Sequence, residues 1–73
     1  MKVDAKKLIF RYYELHTKID RKRETGLSVK SYQYNLLKVK DAANYFLKHP
    51  DSLSKDEILE LYKISKEYID LNT

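Results

Sequence analysis

The sequence predicts an all-α fold, a compact three-helix bundle formed by one domain over residues 1–73. Gly26 and Pro50 are the only glycine and proline, and they divide the chain into three segments of similar length. Apolar side chains recur at three- and four-residue steps within each segment. Because 42% of the residues are apolar, the chain can form a core. We expect helices over residues 4–25, 29–48 and 55–71.

The first predicted helix has one apolar stripe and a defined end. Taking about 100° per residue, the stripe covers a sector of about 100°. Its members are Ala5, Leu8, Tyr12, Leu15, His16 and Ile19. Arg21, Lys22 and Arg23 follow in the last turn, where positive charge interacts favourably with the helix dipole. Gly26 can then adopt the left-handed conformation that ends many helices.

The second predicted helix has the most regular spacing in the chain. Ser28 is placed as its N-cap, and the residue before Pro50 is disfavoured in a helix, so we expect the end at Lys48 or His49. Steps of three and four alternate throughout its apolar stripe, which is typical of helices that pack at a shallow angle. The stripe consists of Val29, Tyr32, Leu36, Val39, Ala43 and Phe46.

The third predicted helix begins with a capping box, in which Ser54 and Glu57 exchange hydrogen bonds, and Leu53 and Ile58 are spaced for a hydrophobic staple. Opposite charges four residues apart are expected on its solvent side. These pairs are Lys63 with Glu67 and Lys66 with Asp70. The expected inward stripe consists of Ile58, Leu61, Tyr62, Ser65, Tyr68 and Ile69.

The residues that catalysis or metal binding would require are scarce. The chain has no cysteine and two histidines, and His16 with Asp20 supplies only two of the four ligands of a structural metal site. A glycine-rich phosphate loop cannot be formed with one glycine. We therefore expect no enzyme, no metal and no cofactor. No apolar run approaches membrane-spanning length, and residues 1–7 include four charged side chains, so we expect a cytoplasmic protein without a membrane partner.

Several aromatic side chains fall outside the predicted apolar stripes. Tyr34 and Tyr45 project from the second helix opposite Leu36, with Lys38 between them, and Phe10 and Tyr13 point away from the stripe of the first helix. Tyrosine with a cationic neighbour is favoured at protein interfaces. The candidate partner-binding residues are Phe10, Tyr13, Tyr34, Lys38 and Tyr45. The alternative is that these tyrosines cover the core and keep their hydroxyl groups in water.

Basic residues define a second candidate surface. Residues 1–25 carry eight basic and four acidic side chains and residues 26–49 carry four and one, whereas residues 50–73 carry three and six. Four cations lie within about 60° on one side of the first helix, with Glu14 beside them. The candidate nucleic-acid-binding residues are Lys7, Arg11, Lys18, Arg21, Lys22, Lys38 and Lys40. An ordinary solvated face has the same composition.

The segment Thr25-Gly26-Leu27-Ser28-Val29-Lys30-Ser31-Tyr32 resembles the turn and early recognition helix of helix-turn-helix DNA-binding proteins. The match consists of glycine in the turn, an apolar residue after it, a serine that opens the second helix and an apolar residue four positions on. The sequence departs from this pattern at Arg21, Lys22, Thr25 and Asn35. The resemblance implies contact with DNA through the second helix.

Together these observations predict a small non-catalytic protein-binding module, an adaptor or inhibitor that docks on a larger protein. Its size, charge and lack of catalytic groups suit a phage or bacterial accessory factor that acts on a host, replication or transcription protein. The first alternative is a nucleic-acid-binding protein that uses the basic face of the first two helices. The second is a structural homo-oligomer subunit, suggested by the regular stripe of the second helix and the small core.

Overall fold

The computed structural model describes residues 4–69 and residue 71. Within these residues the chain forms three helices and no strand: α1 over Ala5–Glu24, α2 over Lys30–Lys48 and α3 over Lys55–Ser65. Each helix packs against the other two. The dimensions of 42 × 23 × 18 Å are those of helices lying side by side along one long axis. The predicted all-α three-helix bundle is confirmed.

The core follows the predicted stripes of α1 and α2 closely. Leu15 and Leu61 are among the most deeply buried side chains, and Ala43 is completely buried, which lets neighbouring helices approach α2 closely. Tyr12, Tyr32 and Phe46 are half-buried at the margin of the core. The buried apolar residues are Ala5, Leu8, Leu15, Ile19, Val29, Leu36, Val39, Ala43, Leu61 and Ile64. Gln33, which was not predicted to be inside, is also buried.

The connection between α1 and α2 is a glycine turn. Gly26 has a φ of +73°, in the left-handed region that glycine tolerates best. The amide of Leu27 donates to the carbonyl of Lys22 at 3.0 Å, and the amide of Gly26 donates to Arg23 at 3.1 Å. These two bonds form a Schellman motif, which satisfies carbonyls left free at the end of α1. The predicted role of Gly26 is confirmed.

The predicted N-cap of α2 is wrong. The capping position belongs to Val29, which provides no side-chain hydrogen bond, and α2 begins at Lys30. The hydroxyl of Ser28 lies 3.5 Å from the amide of Lys30, too long for an effective cap. The physical reason is that the glycine turn carries the chain one residue further before helical geometry begins. At its other end α2 stops at Lys48, as Pro50 predicts.

The start of α3 agrees with the prediction. The amide of Glu57 donates to the hydroxyl of Ser54 at 3.2 Å, and the amide of Ser54 donates to the carboxylate of Glu57 at 2.9 Å. The capping box is therefore complete. Leu53 packs against the core just before the helix, where the predicted hydrophobic staple needs an apolar side chain.

The predicted end of α3 is wrong, because the helix stops at Ser65 rather than near residue 71. The amides of Lys66 and Glu67 bond to carbonyls three residues earlier, which tightens the chain out of the α-helix. The predicted inward stripe is wrong at two places, since Tyr62 is 51% exposed and Tyr68 is 83% exposed. Ile64 is buried in their place. The predicted pair of Lys66 with Asp70 involves a residue outside the described part of the chain.

Candidate partner-binding surfaces

A polar cluster joins the two long helices to the segment after α3. The hydroxyl of Tyr12 donates to the carboxylate of Glu67. Nε2 of His16 lies 2.8 Å from Oε2 of the same carboxylate, and Nζ of Lys40 donates to the Glu67 carbonyl at 2.7 Å. We call Tyr12, His16, Lys40 and Glu67 the Glu67 cluster. Its members belong to α1, α2 and the segment after α3, so the cluster ties Glu67 to both long helices.

The Glu67 cluster corrects one sequence prediction. Glu67 was expected to pair with Lys63 on the solvent side of a longer α3, but its carboxylate contacts α1 instead. Its partners lie 55 and 51 positions away in the chain, so no local pattern could indicate them. Because α3 ends at Ser65, two residues before Glu67, the Glu67 side chain can reach Tyr12 and His16.

The two neighbouring tyrosines of α1 both serve as hydrogen-bond donors to α3 and its extension. Tyr13 donates to Oε2 of Glu60 at 2.5 Å. Burial and the hydrogen bond to Glu67 raise the pKa of Tyr12, while the hydrogen bond to Glu60 is the main cause that raises the pKa of Tyr13. The two hydroxyls thus link α1 to α3 through Glu60 and to the following segment through Glu67.

The five candidate partner-binding residues do not form one surface. Phe10 lies about 180° from the buried stripe of α1, and Tyr13 is directed toward Glu60 of α3. Tyr34, Lys38 and Tyr45 instead share the outward face of α2 within about 40°. The structure thus brings three of the five residues together, and we call Tyr34, Lys38 and Tyr45 the α2 face.

The α2 face exposes large aromatic side chains. Tyr34 is 50% exposed and Tyr45 is 63% exposed. The ring of Tyr45 contacts His49, with centroids 4.8 Å apart, and Phe46, with centroids 6.3 Å apart. These local ring contacts orient Tyr45. Tyr45 is not part of the buried side of α2, which includes Leu36, Val39 and Ala43.

The candidate nucleic-acid-binding residues are divided among several environments. Glu14 accepts hydrogen bonds from Arg11 at 3.0 Å and from Lys18 at 3.4 Å, so one carboxylate neutralises part of the basic stripe. Lys40 belongs to the Glu67 cluster, and Lys22 is half-buried. Lys7 and Arg21 on α1 and Lys38 on α2 are exposed. The free positive charge therefore lies on two helices rather than along one stripe.

The segment that resembles a helix-turn-helix covers the glycine turn and the first turn of α2. Leu27 is exposed, whereas Val29 is buried and Tyr32 packs at the edge of the core. On the same side of α2 as Val29, the buried residues continue through Leu36 to Ala43. The outward face of α2 is thus the part of this helix open to a partner of any class.

Sequence reasoning missed an exposed surface on α3. Leu59 is 60% exposed, Tyr62 is 51% exposed, and Nζ of Lys66 lies 4.3 Å from the centroid of the Tyr62 ring. Lys55 lies on the same side, and we call Lys55, Leu59, Tyr62 and Lys66 the α3 face. Their spacing of four, three and four residues is a helical stripe, the signal that could have revealed it. Because Tyr62 was predicted to point inward, the α3 face was not recognised from the sequence.

A shallow groove lies between α1, α2 and the segment after α3. Its volume is about 690 Å³, and Leu36, Ile19 and Ile69 supply its apolar lining. The polar residues along it include acidic, basic and uncharged side chains. They are His16, Asp20, Arg23, Gln33, Glu67 and Tyr68.

Metal binding and membrane crossing each require a recognisable arrangement of side chains. Within residues 4–69 and 71, no group of three or more histidine, aspartate or glutamate side chains is arranged to hold a metal ion. No helix in this part of the chain combines the length and the apolar character needed to cross a membrane.

Comparison with known proteins gives no relative: no protein-family model, no curated protein and no solved structure matches this chain. Any functional inference therefore depends on the chemistry of the surfaces described above.

Proposed function

We propose that this chain is a small, non-catalytic protein-binding module of the cytoplasm, an adaptor or inhibitor that docks on a larger protein through the α2 face. The observation that supports the proposal is the exposure of Tyr34 and Tyr45 on one outward line with Lys38 between them. Tyrosine brings a large contact area at a low entropic cost and is enriched among residues that dominate binding energy.

Tyr34 and Tyr45 of the α2 face lie outside the buried core. Tyr34 and Tyr45 lie opposite Leu36, which is one of the buried residues of α2. The aromatic rings therefore expose apolar area that the core does not require. Isolated apolar residues on a surface are common, but an aligned pair of half-exposed tyrosines provides the kind of anchor that interfaces use.

Nucleic-acid binding is the second candidate, supported by the exposed cations Lys7 and Arg21 and by the basic last turn of α1. The two candidates differ in their response to salt. Neutralisation of phosphates makes affinity fall steeply as salt rises, whereas a tyrosine-anchored protein interface responds weakly. Glu14 reduces the free charge of the basic stripe, which favours the protein partner.

The experiment is affinity capture from a lysate of the source organism, with and without nuclease, using the full chain as bait. We expect a protein partner that survives nuclease and is lost with the Tyr34→Ala/Tyr45→Ala double variant. Tyr68→Ala is the matched control, since it removes an exposed tyrosine that lies outside the α2 face. Capture that disappears with nuclease would favour the nucleic-acid candidate, and equal loss with Tyr68→Ala would contradict the proposed surface.

A homo-oligomer is the remaining alternative. Molecular mass in solution, measured at two protein concentrations by sedimentation or light scattering, distinguishes it. We expect the monomer mass at both concentrations. A mass that rises with concentration and falls back in the Tyr34→Ala/Tyr45→Ala variant would identify a second copy of the chain as the occupant of the α2 face.

A further inference from the structure

We infer that α3 has a second, longer form, in which residues 66–69 leave the groove and continue the helix, and that the Glu67 cluster holds the shorter form in place. We call residues 66–69 the strap. In the shorter form the strap lines the groove between α1 and α2, and in the longer form the groove is open. This inference goes beyond the proposed function, because the change takes place within the chain and requires no partner.

The local sequence does not end α3 at Ser65. Gly26 and Pro50 are the only glycine and proline of the chain, so neither of these helix-ending residues follows Ser65. The first two residues of the strap, a lysine and a glutamate, are favourable in helices, and the tyrosine and isoleucine after them are tolerated. The contacts around the strap, rather than its own residues, therefore decide where α3 ends.

The helical register of α3 places Tyr68 on the buried side of the helix. Tyr68 lies four residues after Ile64 and seven after Leu61, within about 40° of both around a helix. Ile64 and Leu61 are almost completely buried, whereas Tyr68 is 83% exposed in the shorter form. One further turn of helix would bring the Tyr68 ring toward the bundle. The longer form thus buries apolar surface that the shorter form leaves in water.

Contacts with α1 and the core stabilise the shorter form. Tyr12 donates to the carboxylate of Glu67, and Nε2 of His16 lies 3.0 and 2.8 Å from its two oxygens. Ile69 packs against the core. The amide of Glu67 bonds to the carbonyl of Ile64 at 3.2 Å, a three-residue bond that replaces the four-residue bond of an α-helix.

Lys40 adds a contact from α2 to the backbone of the strap. Its Nζ donates to the carbonyl of Glu67 at 2.7 Å. In a continuous helix this carbonyl would point along the helix axis toward the next turn. In the shorter form it is bonded to a side chain of another helix, and this bond stabilises the departure of the chain from helical geometry after Ser65. The side chain and the backbone of Glu67 are therefore both held outside α3.

The strap controls access to the groove. Glu67 and Ile69 line it together with Ile19 of α1 and Leu36 of α2. Continuation of α3 removes the strap from this position, so apolar surface of Ile19 and Leu36 becomes accessible between the two long helices. The two forms differ in their contacts with Glu67, and a change that weakens those contacts shifts the balance toward the longer form.

The test changes α1 and α2, so that the helix propensity of the strap itself stays the same. In the full chain, Tyr12→Phe/His16→Ala removes the donors to the Glu67 carboxylate. Lys40→Met removes the donor to the Glu67 carbonyl and keeps the aliphatic stem. Backbone chemical shifts of residues 66–69 report the conformation of the strap. We expect non-helical values in the wild type and a shift toward helical values in each variant.

The Tyr68 ring provides a second, independent measurement. In both variants we expect nuclear Overhauser contacts from Tyr68 to Leu61 and Ile64, and slower acetylation of its hydroxyl by N-acetylimidazole than in the wild type. Tyr62 is the internal control, because it is an exposed tyrosine of α3 whose reaction rate should not change. The amide shifts of Leu36 should change as the groove opens.

Two matched variants control for the substitutions themselves. Tyr13→Phe removes the neighbouring hydroxyl of α1, which donates to Glu60 rather than to the strap. Lys38→Met removes an exposed lysine of α2 that lies outside the Glu67 cluster. Neither should change the shifts of residues 66–69. Circular dichroism melting confirms that each variant is folded, and Lys40→Met alone decides if the double variant does not fold.

A helical strap in either test variant, with both controls unchanged, supports the inference. Four results would overturn it. They are random-coil shifts of residues 66–69 in the folded test variants, wild-type shifts in both of them, equal changes in the controls, and a strap that is already helical in the wild type.

Discussion

His16 and Glu67 join α1 to the segment after α3, with Nε2 of His16 2.8 Å from Oε2 of Glu67. Tyr12 donates to the same carboxylate, and Lys40 of α2 donates to the Glu67 carbonyl. Glu67, which lies outside the three helices, thus contacts both long helices. A domain of this size has modest stability, so a contact of this kind matters to the whole fold.

Glu67→Ala should lower the free energy of unfolding by about 1 to 2 kcal/mol, because it removes the shared acceptor of Tyr12 and His16. Urea denaturation followed by circular dichroism measures the change. Glu14→Ala is the matched control: among the described residues its carboxylate pairs with the exposed cations Arg11 and Lys18 of its own helix, so the loss should stay below about 0.5 kcal/mol. Equal losses in the two variants would contradict a structural role for the Glu67 cluster.

Stability at high pH should depend on Tyr12. Its pKa is raised above 10.0 by burial and by the hydrogen bond to Glu67. The folded state holds this proton more tightly than the unfolded chain, so the stabilisation is complete below a pH of about 10 and decreases as pH rises beyond it. The urea midpoint of the wild type should therefore fall more steeply than that of Tyr12→Phe between about pH 10 and pH 12. Tyr45→Phe, which removes an exposed hydroxyl, is the matched control, and a wild-type slope in Tyr12→Phe would refute the prediction.

The two serines before α2 and α3 give a direct test of capping. Ser54→Ala should cost about 1 kcal/mol of stability, because it removes the acceptor for the Glu57 amide. Ser28→Ala should cost less, since its hydroxyl lies 3.5 Å from the amide of Lys30. Thermal melting of the two variants compares them under the same conditions. An equal decrease in melting temperature would mean that Ser28 also caps its helix in solution.

Leu36→Ala should destabilise the fold by about 2 to 5 kcal/mol, because it opens a cavity beside a buried stretch of α2. Leu27→Ala removes the same atoms from an exposed position in the glycine turn and should change stability by about 0.5 kcal/mol or less. Chemical denaturation measures both. A melting temperature of Leu36→Ala within a few degrees of the wild type would exclude Leu36 from the core.

The sequence predicted the features that local chemistry determines. The left-handed Gly26 after α1, the end of α2 before Pro50 and the capping box at Ser54 each depend on residues within a few positions. The segment after α3 instead makes a long-range contact, in which the Glu67 carboxylate bonds to Tyr12 and His16 of α1. No local pattern encodes that contact, and the apolar periodicity therefore predicted an end of α3 that is too late.

The candidate surfaces were only partly predictable for a related reason. Tyr62 and Ile64 lie on opposite sides of Leu61 around α3, and periodicity accepts either as an inward residue. The positions of α1 and α2 decide between them, and Ile64 is the one buried. The α2 face was predictable because Tyr34 and Tyr45 lie opposite a stripe that was itself clear. The α3 face required the three-dimensional packing.

The last prediction compares two sets of variants against the partner retrieved by lysate capture. Tyr34→Ala and Tyr45→Ala should each weaken binding by about 1 to 3 kcal/mol and should cost less stability than Leu36→Ala, because both side chains are at least half exposed. The combined substitution of Lys7, Arg11, Lys18 and Lys22 by alanine should change affinity less, since Glu14 already pairs with Arg11 and Lys18. Affinity and melting temperature are measured for both sets at low and high salt. If the lysine and arginine substitutions and added salt weaken the complex more than either tyrosine variant, phosphate contacts dominate and the α2 face is not the anchor.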